Sequence, residues 1–128
     1  MEKEEYVQKL SFLQEEIGKL EEQINLINQQ LNELETLNFG LEKFKKFKEE
    51  KEVLASLGKG IFFSAEIKDN HLLVNVGSGI ILKKSPEETA EIIKKQALKL
   101  EEMRKSLVSE IEKINEVMRD LIKRYETE

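Results

Sequence analysis

Leu57-Gly58-Lys59-Gly60-Ile61-Phe62-Phe63 and Val74-Asn75-Val76-Gly77-Ser78-Gly79-Ile80 stand apart from the rest of this chain. Ile61, Phe63, Ala65 and Ile67 alternate with Ser64, Glu66 and Lys68, Phe62 being the exception, and a two-residue repeat is that of a half-buried strand. Asp69-Asn70 is a candidate two-residue turn because both residues tolerate positive φ, and His71 to Val76 then reads as the returning strand. Gly77-Ser78-Gly79 punctuates the chain again before Ile80, Ile81 and Leu82. With Val53 to Leu57 as a short first strand ending at Gly58 and Gly60, residues 53–84 are expected to carry two β-hairpins.

On either side the period changes. Tyr6, Leu10, Leu13, Ile17, Leu20, Ile24, Ile27, Leu31 and Leu34 recur in alternating steps of four and three, which places them on one stripe of a helix suited to knobs-into-holes packing. The run continues through Leu37, Leu41, Phe44 and Phe47, where shortened steps overwind the seam and Gly40 weakens the helix by roughly 1 kcal/mol relative to alanine. Beyond the strands, Ser85-Pro86-Glu87-Glu88 has the form of a capping box with proline at the first helical position. The seam that follows is Ala90, Ile93, Ala97, Leu100, Leu107, Ile111, Ile114, Met118, Leu121 and Tyr125, with Arg104 in place of one apolar residue and Met103 as its expected substitute.

The expected fold class is therefore α+β. A long antiparallel coiled-coil hairpin of two helices, 1–52 and 85–128, is connected by two β-hairpins in 53–84, in one domain spanning 1–128. Helices of about 50 and 40 residues would run roughly 75 and 60 Å. Their seams face each other within one chain. The strands have no such partner, and a few short strands with open edges pair readily with strands of other chains. That gives eight candidate oligomerisation residues, Ile61, Phe63, Ile67, Leu73, Val74, Val76, Ile80 and Leu82, expected to build an oligomeric β-barrel.

Composition excludes much else. The chain has 128 residues, 37% of them charged and 39% hydrophobic, so narrow helical seams account for the apolar content better than a large central core. Its net charge of −5 arises from Glu and Lys mixed residue by residue, which leaves no basic strip for a phosphate backbone and argues against nucleic acid and against an RNA-binding helical arm. No cysteine is present, so disulfides, thiolate metal sites and thiol nucleophiles are absent. No apolar run approaches the roughly 18 residues of a membrane span; neither signal peptide nor membrane anchor is expected, and the location expected is cytoplasmic.

No constellation of catalytic groups emerges. His71 is the single histidine and follows a turn signal, so a strand-edge role is expected rather than metal or proton chemistry. Glu15-Glu16 and Glu101-Glu102 lie on solvated helix faces with no burial to separate their pKa values. Gly58-x-Gly60 and Gly77-x-Gly79 lack the Gly-Lys-Ser/Thr of a phosphate loop and read as turn glycines. The Lys45-Lys46 and Lys83-Lys84 pairs are balanced by nearby Glu. The chain is expected not to be an enzyme, and neither a cofactor nor a metal is expected.

The succession of long helix, two hairpins and long helix, with Leu57-Gly58-Lys59-Gly60-Ile61-Phe62-Phe63 and the Val-x-Val-Gly-x-Gly of Val74 to Gly79, resembles an α-type prefoldin subunit of archaea over the whole chain. The resemblance implies an ATP-independent molecular chaperone subunit. Such subunits capture unfolded proteins at the tips of their coiled coils, prevent aggregation, assemble through their strands with β-type prefoldin subunits, and pass clients to a group II chaperonin. Many α-type subunits carry proline where this chain has Ser56, a departure that keeps open the self-assembling γ-prefoldin paralogue. A structural coiled-coil scaffold or filament-forming protein, assembled through its β-strands, is the alternative.

Apolar side chains off the main seam and toward the free helix ends are the candidate client-binding residues: Val7 and Phe12 on the first helix, Val117 and Ile122 on the second. A set of such groups takes up varied apolar segments without demanding one geometry, each contact adding on the order of 1 kcal/mol. The plainer role for each is to widen the packed stripe.

Overall fold

A computed structural model of the chain describes residues 2–46 and 52–127. The elements follow in the order α1 (Lys3–Lys46), β1 (Glu52–Gly58), β2 (Ile61–Glu66), β3 (Leu72–Gly77), β4 (Ile80–Lys84) and α2 (Pro86–Thr127). Phe47, assigned to the first seam from the sequence, lies outside the described residues. The chain divides into two compact units, Met1–Asn32 with Ala97–Glu128, and Glu33–Gln96.

In the first unit the two helical segments pack antiparallel, each burying the stripe that its heptads lay out. Leu20, Ile27 and Leu121 are buried, and Leu10, Leu13, Ile17, Ile24 and Ile111 are half-buried between them. Two contacts fix the register. The rings of Tyr6 and Tyr125 stack with centroids 4.0 Å apart and planes 7° from parallel, and Arg104 Nη1 donates to Asn28 Oδ1 at 2.8 Å. Tyr6 to Ile27 and Arg104 to Tyr125 each span three heptads, so the facing stripes keep step along the whole unit.

Arg104 corrects one expectation. Met103 does not take over its seam position, since Met103 is exposed. Arg104 itself stays there, half-buried, its aliphatic stem suited to an apolar stripe while the guanidinium finds a side-chain acceptor on the opposite helix.

In the second unit Leu41 and Ile93 are buried, and Leu34 and Phe44 half-buried. Leu37 is exposed, so it does not belong to the seam to which the sequence assigned it; the step from Leu34 to Leu41 is a whole heptad, and nothing on the packed stripe calls for Leu37. Phe39 is also exposed, with the Lys43 ammonium 4.7 Å above its ring. At the start of α2 the capping box closes in both directions: the Glu88 N–H donates to Ser85 Oγ at 3.0 Å and the Ser85 N–H to Glu88 Oε1 at 3.2 Å. Those bonds with Ser85, with Lys84 nearby, hold the Glu88 carboxyl below the ordinary range. Pro86 is buried directly after the cap, where its missing N–H costs nothing.

The strands form two separate antiparallel sheets, β1 with β2 and β3 with β4. Each hairpin turns on a two-residue loop whose central residues both have positive φ, Lys59 (52°) with Gly60 (79°), and Ser78 (53°) with Gly79 (75°). That is the primed turn geometry matching the twist of paired strands. A register shift precedes each turn, between Ser56 and Gly58 and between Asn75 and Gly77. In both hairpins the side chain two residues before the bulge glycine accepts its N–H, Ser56 Oγ from Gly58 at 3.1 Å and Asn75 Oδ1 from Gly77 at 3.0 Å. Ser56, the departure from proline, thus acts in the first hairpin as Asn75 does in the second.

Asp69-Asn70 is not a hairpin turn. β2 and β3 do not pair, and Asp69 instead accepts the His71 N–H at 2.9 Å and binds the Lys83 ammonium on β4 at 2.8 Å. The side-chain chemistry that marks Asx residues as turn formers serves here to join two hairpins rather than to close one.

Candidate functional site

Residues directly opposite in an antiparallel pair share a face, so the register sorts the strand side chains. In the first hairpin Val53, Ala55, Phe63 and Ala65 share one face, and Leu54, Ser56, Phe62 and Ser64 the other. In the second, Leu72, Val74, Leu82 and Lys84 oppose Leu73, Asn75, Ile81 and Lys83. Val53, Ala55, Ala65, Leu72 and Val74 are half-buried, while Leu54, Phe62, Leu73 and Ile81 on the opposite faces are exposed, Leu73 at 76% the most open large apolar side chain among the described residues.

Of the candidate assembly residues, Ile61, Phe63, Leu73, Val76, Ile80 and Leu82 are exposed, Val74 is half-buried, and Ile67 is half-buried just beyond the end of β2 at Glu66. Leu54, Leu57, Phe62 and Ile81 are equally exposed and stand outside that candidate set. The signal for two of them was present: Phe62 interrupts the alternation of its strand, and Ile80-Ile81-Leu82 does not alternate at all. Apolar residues on both faces are the pattern of strands buried on both sides, as in a strand that packs on two layers.

The other candidate lies on the first unit, near the start of α1 and the end of α2. Phe12 and Val117, both exposed, line one open cleft of about 640 Å³ with Leu13 and Leu121 of the seam and with Glu5, Lys9, Asp120 and Arg124 at its sides. Val7 is exposed but does not line this cleft, and Ile122 is half-buried in a different one with Asn115, Glu116, Met118 and Arg119. The four candidate client residues therefore do not form one patch; Phe12 and Val117 do. Leu13 and Leu121 thus serve both the seam and the lining of the cleft.

His71 lies with its ring exposed, its backbone N–H held by Asp69. Among the described residues no group of three His, Cys, Asp or Glu side chains is placed to hold a metal, and no helix is long and apolar enough to cross a membrane.

Comparison with known proteins decides the family. Residues 13–127 match the family described as Prefoldin subunit. The chain belongs to the prefoldin family. Among relatives of this prefoldin chain, the prefoldin subunit alpha of Pyrococcus horikoshii is 34% identical over 113 residues, covering 84% of this chain and 76% of the relative. The prefoldin subunit alpha of Archaeoglobus fulgidus is 29% identical, covering 87% and 82%, and prefoldin subunit alpha 1 of Methanocaldococcus jannaschii is 29% identical, covering 96% and 80%. Among solved structures, the cryo-EM structure of a filamentous prefoldin from Methanocaldococcus jannaschii aligns with a TM-score of 0.80 at 23% identity, over 91% of this chain and 98% of that one. The likeness establishes the prefoldin fold of two long helices and two small antiparallel hairpins. Prefoldin subunits are components of chaperones, not enzymes.

Proposed function

We propose that this prefoldin subunit captures unfolded proteins without ATP in the cytoplasm, keeps them from aggregating and passes them to a group II chaperonin. The strands build the oligomer, with β-type prefoldin subunits or with further copies of this chain, into a β-barrel. The helix ends hold the client. The observation that carries the reading is the cleft of Phe12 and Val117: two exposed apolar side chains meeting over a packed seam, with charges of both signs at its edge. Such a surface favours apolar segments of varied sequence, and weak contacts from several subunits of one oligomer add through effective concentration.

Replacing Phe12 and Val117 together by Ser tests it. Helicity and sedimentation should stay as in the parent, while suppression of aggregation of a chemically denatured client falls severalfold. Unchanged suppression would remove the cleft from client binding. A filament-forming scaffold is the second reading, favoured by the apolar residues exposed on both faces of the hairpins, and it expects no protection of a denatured client at near-stoichiometric ratios.

A further inference from the structure

The chain has two tyrosines, no tryptophan and no cysteine, and both tyrosines meet in one contact. Tyr6 lies near the start of α1 and Tyr125 near the end of α2. Their rings stack with centroids 4.0 Å apart and planes 7° from parallel. Each holds a seam position, and the stripe continues inward through half-buried Leu10 and buried Leu121, so the register of two helices brings the rings together. Stacking of the rings adds its own attraction to that of the seam. Both residues are half-buried, which leaves part of each ring open to a small solute.

Neither tyrosine lines the clefts described above, so the pair is not part of the candidate client site. Its composition-wide setting is unusual. A one-electron oxidant reaching this chain finds no thiol and no indole, the groups that compete most strongly with a phenol for an electron hole. The methionines follow a different route, taking up an oxygen atom to give the sulfoxide. The phenol is therefore the side chain on which one-electron oxidation comes to rest, and here each phenol is stacked on the other.

We propose that Tyr6 and Tyr125 form an oxidative modification site, at which small one-electron oxidants of the radical class join the two rings as dityrosine within one chain. Two oxidant molecules each take one electron, and each phenol releases its hydroxyl proton, leaving a phenoxyl radical on either ring. The two unpaired electrons form a bond between ring carbons adjacent to the two oxygens. Each of those carbons then loses its hydrogen as a proton while each oxygen takes one up. Both phenols are restored, the oxidants are reduced, and the chain is lighter by two hydrogen atoms. Stacking sets the carbons of one ring over those of the other, so a slide and tilt of the rings brings the reacting carbons together. The bond ties the start of α1 to the end of α2, and the two segments can no longer separate there.

The experiment exposes the full-length chain in its native assembly to a limited dose of light with a ruthenium tris-bipyridyl complex and persulfate. Dityrosine emission should appear in chains that run as single chains on a denaturing gel. Mass spectrometry should find the loss of two hydrogens on a linked pair of peptides holding residues 6 and 125. The same dose given to the chain unfolded in urea should yield several-fold less of this intrachain product, because the fold no longer aligns the rings. Tyr125→Phe keeps an aromatic ring at the contact and removes one phenol; it should abolish the product with circular dichroism unchanged. Absence of dityrosine overturns the proposal, as do cross-links found only between copies. An intrachain yield equal in urea, or one that persists in Tyr125→Phe, overturns it as well.

Discussion

The first unit and the hairpins use apolar residues in opposite ways. Along the paired helical segments, Leu20, Ile27 and Leu121 are buried and their heptad neighbours half-buried, because each stripe faces the other within one chain. In the hairpins Leu54, Leu57, Ile61, Phe62, Leu73 and Ile81 remain exposed although they belong to paired strands. Both regions are equally well formed as secondary structure; they differ in where their apolar surface is covered. Two-stranded sheets are marginal alone, and these open apolar side chains are what the assembly proposed above would cover.

The contrast is most exposed to refutation at the seam. Ile27→Ala should cost about 2–4 kcal/mol in chemical denaturation at fixed protein concentration, by loss of buried methyl groups and the cavity left behind, with assembly size unchanged. A loss under about 1 kcal/mol would mean that the seam bears little of the stability. Leu73→Glu makes the converse test. Leu73 is open in the chain and lies across the strand pair from Lys83, which already binds Asp69, so glutamate there shares that cation and should leave helicity intact. Association should nevertheless weaken by about 2 kcal/mol, or roughly thirtyfold, as one leucine's burial is lost. Sedimentation at graded concentrations measures it, and an unchanged assembly would take this face out of the interface.

Gly40→Ala sharpens the picture on α1. A methyl group there meets nothing within 4 Å and the residue is helical, so alanine should stabilise the helix by about 0.5–1 kcal/mol, seen as a raised melting temperature. Destabilisation would show that Gly40 is needed for close approach of something outside the chain.

The smallest effect concerns the join between the hairpins. The Asp69 carboxyl is held below its ordinary range first by the hydrogen bond from the Lys83 ammonium and then by that from the His71 N–H, which together outweigh desolvation. A carboxyl depressed in the folded chain stabilises above its unfolded pKa, and that contribution is lost as pH falls through the folded value. The His71 amide resonance should therefore titrate with a midpoint below the ordinary aspartate range, and Asp69→Asn should erase the transition. A midpoint at the ordinary aspartate value would show that the pair does not persist in solution.

Much of this architecture was legible because its signals are local. The heptads of Tyr6 to Leu34 name the packed stripe, Ser85-Pro86-Glu87-Glu88 names the start of α2, and the paired glycines at 58/60 and 77/79 name the turns, since only residues tolerant of positive φ suit them. Leu37 misled because periodicity extends a stripe whether or not a facing side chain is there to receive it. Asp69-Asn70 misled because an Asx residue that bends its own backbone looks the same in sequence whether it closes a hairpin or joins two. Phe12 and Val117 were each identifiable as off the seam, but not as neighbours, and nothing local separated them from Val7 or Ile122.

By itself the amino-acid sequence determined the element types, their order, the stripes that pack and the kind of surface left over, because each depends on residues within a few positions of one another. Only the tertiary structure decided that Arg104 finds Asn28, that Tyr6 stacks on Tyr125 and that Phe12 shares a cleft with Val117. Those are meetings of distant residues, and they follow from the register in which two helices come together, a quantity set by the sum of many contacts rather than by any short run of residues.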